Sequence, residues 1–210
     1  MPEPSTSRSV KIDQDERGGW SSDGPRRDGA PPRPADVAVR GKALAPAALL
    51  RYSPGSLLII VSGSAEEREK LARSVVEETS ALLSLRKVRD LLATKGIDDD
   101  ERATQLLDAT VAKRLGNGHS VALVADGVTA EERERYVRMA NANKRPCHLI
   151  LVEAPRDEIA EDDHEPLNQL RKSLDTGQLG AEGFNTFLRL GGSALSEVKR
   201  IVFRPFEKDS

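Results

Sequence analysis

The chain has 210 residues, enough to bury a core without disulfides or metals, and its length points to one domain with room for a tail. A net charge of −2, with 31% of residues charged, gives no global basic excess of the kind that announces a nucleic-acid binder, although local basic patches stay open. The single cysteine, Cys147, lies in an apolar stretch, which excludes a disulfide framework and fits a reducing, cytoplasmic setting. Three scattered histidines offer no metal site with ligand spacing. No apolar run approaches the roughly 20 residues of a membrane span, so no membrane partner is expected. The N-terminus is polar with both charge signs, unlike a secretory signal.

Residues 1–45 are rich in Pro, Gly, Ser, Arg and Asp, and stretches such as Ala30-Pro31-Pro32-Arg33-Pro34 hold neither a helix nor a central strand. The composition predicts a disordered or flexible arm, with Trp20 its only large apolar anchor for a partner. The folded domain is then 46–210. Leu44 to Tyr52 turns apolar and leads into the first strand, Leu57–Val61, five aliphatics between Pro54-Gly55 and Ser62-Gly63-Ser64. A helix follows from about Glu66 to Glu78, with Leu71, Val75 and Val76 at helical spacing. Leu82–Leu85 reads as a short strand and Val88–Thr94 as the start of a helix stopped by Gly96. Asp98–Glu101 is an acidic first turn, suited to the positive end of the next helix, whose face is Ala103, Leu107, Val111 and Leu115. A strand at Ser120–Ala125 precedes Thr129-Ala130-Glu131-Glu132, a capping box. The helix it opens leads to a third buried strand, Cys147–Val152. After Pro155 come an acidic segment (Asp157–Glu165), a helix (Pro166–Leu174), a late strand (Thr186–Leu190) and an added edge strand (Ile201–Phe203).

Almost wholly apolar strands alternating with helices indicate an α/β fold, a parallel β-sheet flanked by helices in three layers. In such sheets ligands bind outside the carboxyl ends of the strands, here where Ser62, Asp126 and Glu153 end three of them. The first strand, its small-residue turn and its helix have the layout of a phosphate-binding loop.

Ser56–Glu77, Ser120–Ala140 and the tail motifs Leu170-Arg171-Lys172-Ser173-Leu174, Glu182-Gly183-Phe184 and Phe203-Arg204-Pro205 together resemble P-loop kinases of the polynucleotide-kinase type. The nearest likeness is to the kinase domain of bacterial polynucleotide kinase–phosphatase proteins, over about Leu50 to Phe206. The resemblance implies an ATP- and Mg²⁺-dependent phosphoryl transfer. It sets Ser62 and Gly63 at the start of the loop G-x-x-x-x-G-K-[ST], Glu67 at its second glycine, Arg68 at the lysine, Glu69 at the Mg²⁺-binding hydroxyl and Lys70 next to it.

Each replacement works against nucleotide binding. Glu67 removes backbone freedom and adds a negative charge, and Arg68 is a larger, planar cation less suited to such a loop. Carboxylates at 67 and 69 repel a polyphosphate, each by about 4 kcal/mol at ~4 Å and an effective dielectric near 20. In Ser84-Leu85-Arg86-Lys87-Val88-Arg89 the family's general-base Asp is Arg86, which stays protonated and takes no proton from a 5′-hydroxyl. Asp126 and Arg133 persist from a further motif, in a shortened loop. Leu170 follows Pro155 by only 15 positions, with Arg156 the one arginine or lysine between Pro155 and Arg171, too little for the family's arginine-bearing lid.

The sequence therefore predicts a kinase-like protein that is non-catalytic, with no cofactor and no metal, and that acts as a binding, regulatory or scaffold module for a protein partner. An ATP-dependent polynucleotide or small-molecule kinase is the alternative, with Arg68 for the lysine, Asp126 on Mg²⁺ and Arg89 or Arg133 steadying a phosphate. A third reading is a nucleic-acid-binding module using Arg86, Lys87 and Arg89. The acidic segment Asp157–Glu165 is expected to fold back on Arg68, Arg86 or Arg89 and fill the phosphate position.

Overall fold

The computed structural model describes residues 41–124 and 126–205. All of the expected arm before Gly41 lies outside the described residues, Trp20 included. Strand β3 (Leu57–Val61) is the centre of the sheet, and all five of its side chains are buried. Its odd residues, Leu57, Ile59 and Val61, face one core, and its even residues, Leu58 and Ile60, face the other. This is the period-two alternation of a strand covered on both sides. β5 (Val121–Val124) and β6 (Cys147–Val152) flank it in parallel, with Leu57 opposite both Val121 and Cys147. β4 (Leu82–Ser84) extends the sheet beyond β5, and β7 (Thr186–Leu190) extends it beyond β6.

The odd-face core packs under α2 (Leu85–Ala93), α3 (Asp100–Gly116), α4 (Ala130–Ala142) and α5 (His164–Asp175). Ala103, Leu107, Val111 and Leu115 are the buried stripe of α3, as the spacing predicts. Both halves of the predicted capping box at Thr129 and Glu132 are formed at the start of α4. The even face packs under α1 (Ala65–Val75) and a two-stranded ribbon, β2 (Leu49–Tyr52) with β8 (Arg200–Phe203). Among the described residues no helix is long and apolar enough to cross a membrane.

Four local expectations change. β1 (Lys42–Ala43) pairs with β7, so residues assigned to the arm already join the sheet. Ile201–Phe203 is not an added edge of the main sheet, because it pairs with β2 in the separate ribbon. Helix α1 ends at Val75 rather than Glu78, since Val76 bridges Ile201 and the Glu77 amide donates to the Ile201 carbonyl. Helix α2 starts at Leu85 rather than Val88, because Ser84 caps it by accepting from the Lys87 amide.

The sheet order is β1-β7-β6-β3-β5-β4. The chain leaves β3, crosses over β5 to β4, returns to β5 and then steps to β6 on the opposite side of β3. That reversal opens a crevice at the carboxyl ends of β5, β3 and β6. Asp126, Ser62 and Glu153 stand there, on three adjacent strands.

Candidate functional site

Only Ser62, Gly63 and Ser64 lie between β3 and α1. The Ser64 amide donates to Ser62 Oγ at 3.2 Å, and Ser64 Oγ caps the helix by accepting from the Glu67 amide at 3.3 Å. The Arg68 amide donates to the Ser64 carbonyl. Glu67, Arg68, Glu69 and Lys70 therefore sit in the opening turns of α1. The amides of Glu67 and Arg68 are satisfied within the chain and do not point at a ligand.

The side chains diverge from this turn. Arg68 reaches across the crevice, its side chain only 12% exposed, donating Nη1–H to the Ser62 carbonyl at 3.1 Å and Nη2–H to Asp126 Oδ1. Glu69 is buried and reaches the end of β4. Ser84 Oγ donates to its Oε1, and its Oε2 lies 3.2 Å from Arg73 Nη2 as an ion pair without hydrogen-bond alignment. Lys70 stays at the surface, 3.2 Å from Glu67 Oε1.

Gly63 is covered. A β-carbon built there would meet Leu167 Cδ1 at 2.6 Å and Ile159 Cγ1 and Cγ2 at 3.1 Å. The predicted contact of the acidic segment with Arg68, Arg86 or Arg89 is not what the chain forms. Arg68 takes Asp126 and Arg89 takes Asp100 at 2.7 Å, while Asp157, Glu158, Glu161, Asp162 and Glu165 face solvent. The segment instead turns its one large aliphatic side chain, Ile159, onto the loop, since a desolvated carboxylate beside Asp126 is far costlier than a buried isoleucine.

Glu153 ends β6 and gathers two arginines. Arg171 of α5 donates to both its oxygens, at 3.0, 3.2 and 2.5 Å, and Arg189 of β7 donates at 2.6 Å. Burial alone would raise the Glu153 carboxyl, but the hydrogen bonds and charges of Arg171 and Arg189 outweigh it and hold the group below its ordinary value. Gly191 leaves room for this arrangement, because a β-carbon there would lie 3.0 Å from Glu153 Cβ and Cγ.

The remaining arginines named from the sequence are placed apart from the crevice or engaged beside it. Arg133, 3% exposed in its side chain, donates to Glu182 through Nε and Nη2 and to the Gly127 and Val128 carbonyls through Nη1. Arg89 is half exposed and holds the start of α3. Arg86 and Lys87 are exposed in the first turn of α2, which has no acidic residue. The sequence reading placed Ser84 in a strand-end motif but missed Ile159, Leu167 and Arg189 as members of this region. A single large aliphatic residue inside an acidic run was the one available signal, and it marks Ile159 alone.

No curated protein matches the chain. A gluconokinase from Sinorhizobium meliloti 1021 aligns in structure with a TM-score of 0.37 and 11% identity, over 70% of this chain and 89% of the gluconokinase. A family profile described as an AAA domain matches residues 41–171, well over half of the chain and every strand of the crevice. With the parallel sheet and a strand-turn-helix at its centre, the chain belongs to this AAA domain family and is a P-loop kinase-like domain.

Proposed function

We propose that this chain is a kinase-like domain that no longer transfers phosphate and works through its surface, as a regulatory or scaffold module for a protein partner. One observation carries the reading: the cation at the phosphate-lysine position, Arg68, is already spent on Asp126 and the Ser62 carbonyl. Phosphoryl transfer rests almost wholly on positioning and electrostatic stabilisation. Here the Ser64, Glu67 and Arg68 amides are satisfied internally, Glu69 is tied to Ser84, and Ile159 and Leu167 cover Gly63. Arg86 in the base position supplies no proton acceptor.

Isothermal calorimetry with ATP, with and without Mg²⁺, tests the reading. No saturable heat is expected up to millimolar nucleotide, and no label should pass from ATP to a 5′-hydroxyl oligonucleotide. Micromolar binding that disappears in Arg68→Ala would overturn the proposal in favour of an atypical kinase. A nucleic-acid-binding role draws support only from exposed Arg86 and Lys87. It requires oligonucleotide affinity that falls steeply with salt and weakens when both are changed to Ala.

A further inference from the structure

The family resemblance implies a magnesium ion between the loop hydroxyl and a strand-end aspartate, and the residues present do not fit one. The hydroxyl position holds Glu69, which is buried and already engaged by Ser84 and Arg73. Asp126 is the strand-end carboxylate, and its Oδ1 is taken by a guanidinium.

We infer that Arg68 is the chain's own cation, occupying the position between Asp126 and the Ser62 carbonyl that a divalent ion would need, so that the crevice keeps its form without metal. This deepens the proposed function and rests on it. The two acceptors of Arg68 are a carboxylate oxygen and a backbone carbonyl oxygen, from the ends of neighbouring strands β5 and β3. Hard oxygen donors of this kind suit Mg²⁺ or Mn²⁺, ions that keep several waters and take few protein ligands. A guanidinium offers the same two oxygens a fixed fork of donors and a charge that does not titrate. Its tether is short: Arg68 leaves the second turn of α1, and its stem is mostly buried, so the cation is present at high effective concentration with no binding equilibrium to satisfy. Lys70, which is exposed and paired with Glu67, is not placed to do this.

The test uses the full-length chain with Mn²⁺ as the probe and no nucleotide. For the unaltered protein, Tm should be the same in EDTA and in millimolar Mn²⁺, and Mn²⁺ should cause no selective paramagnetic broadening of the amides flanking Asp126. Arg68→Met keeps the aliphatic stem and removes the charge. It should bind Mn²⁺ at least about tenfold tighter than the unaltered chain in a spin-resonance titration and gain Tm on adding the ion, the least expected from freeing one carboxylate. Both gains should vanish in the Arg68→Met, Asp126→Asn double variant. A folded Arg68→Met protein with no gain, or a gain that survives Asp126→Asn, overturns the inference. If Arg68→Met does not fold, selective broadening at Asp126 in the unaltered chain overturns it and its absence supports it. ATP binding by the unaltered chain would instead remove the proposed function, so the two failures are told apart.

Discussion

Leu167 sits directly on Gly63, with its Cδ1 2.6 Å from where a β-carbon of residue 63 would be. The phosphate-loop turn and helix α5 are thus packed as one piece of core, and Gly63 is needed for space. Gly63→Ala should cost about 1–3 kcal/mol, the range for inserting a methyl into a filled core, read as a lower urea midpoint at unchanged m-value. In a Leu167→Ala background the same change should cost at least about 0.5 kcal/mol less. Additive losses would show that the two residues do not press on one another.

Glu153 is the clasp that holds α5 in this position, because Arg171 reaches it from that helix and Arg189 from β7. Glu153→Gln leaves Arg171 without its counter-charge and Arg189 with only Asp175, 3.8 Å away, and should lower stability by about 1–3 kcal/mol at neutral pH. Hydrogen exchange should quicken in α5 before it does in β3. The folded-state value of this carboxyl is depressed, so its contribution is fully present above the ordinary carboxylate range and is lost as pH falls below it. A Gln variant that loses stability evenly along the chain would contradict the clasp.

How much of this was legible in the sequence follows from the range of each interaction. The sheet strands are mostly apolar stretches, and their identity comes from local composition, so β6 and β7 fall on their predicted bounds in spite of His148 and Arg189. Capping at Thr129 is equally local. β1 and β2 have no such signature: they are two and four residues long, and their strand character comes from pairing with β7 and β8, over 140 residues away. Arg68 and Asp126 were both singled out, yet as separate groups awaiting a ligand. Nothing local says that a guanidinium 58 positions away will meet that carboxylate. Ile159 over Gly63 is the same kind of fact, set by the fold and not by spacing.

His148 makes a second pH prediction. It is 2% exposed on β6, with Nδ1 2.8 Å from Thr186 Oγ1 and its ring 4.6 Å from that of Tyr52, the titratable group packed against it. Burial pushes its pKa down to about 3 and pushes the Tyr52 hydroxyl up, so both are neutral in the fold. Between about 3 and the ordinary value near 6.5 the unfolded chain binds a proton that the folded chain does not. Stability should therefore be complete above pH 6.5 and fall on acidification by about 1.4 kcal/mol per pH unit from this group. His148→Leu should displace the whole curve and flatten this segment of it. An unchanged slope in urea titrations from pH 7 to 4.5 would assign the acid sensitivity elsewhere.

Arg133 separates a structural role from a ligand-binding one. Its guanidinium is buried against Glu182 and two carbonyls of the loop that follows Asp126. Removing it by Arg133→Met strands the Glu182 carboxylate and leaves the Gly127 and Val128 carbonyls without this donor. The loss should be about 3 kcal/mol or more, as for other broken buried pairs. Arg133→Lys should rescue little of it, because an ammonium cannot span Glu182 and both carbonyls from one position. A residue that served a bound phosphate would behave in the opposite way, sparing stability and lowering only anion affinity. Thermal unfolding of Met and Lys variants, measured beside pyrophosphate titrations, decides between them.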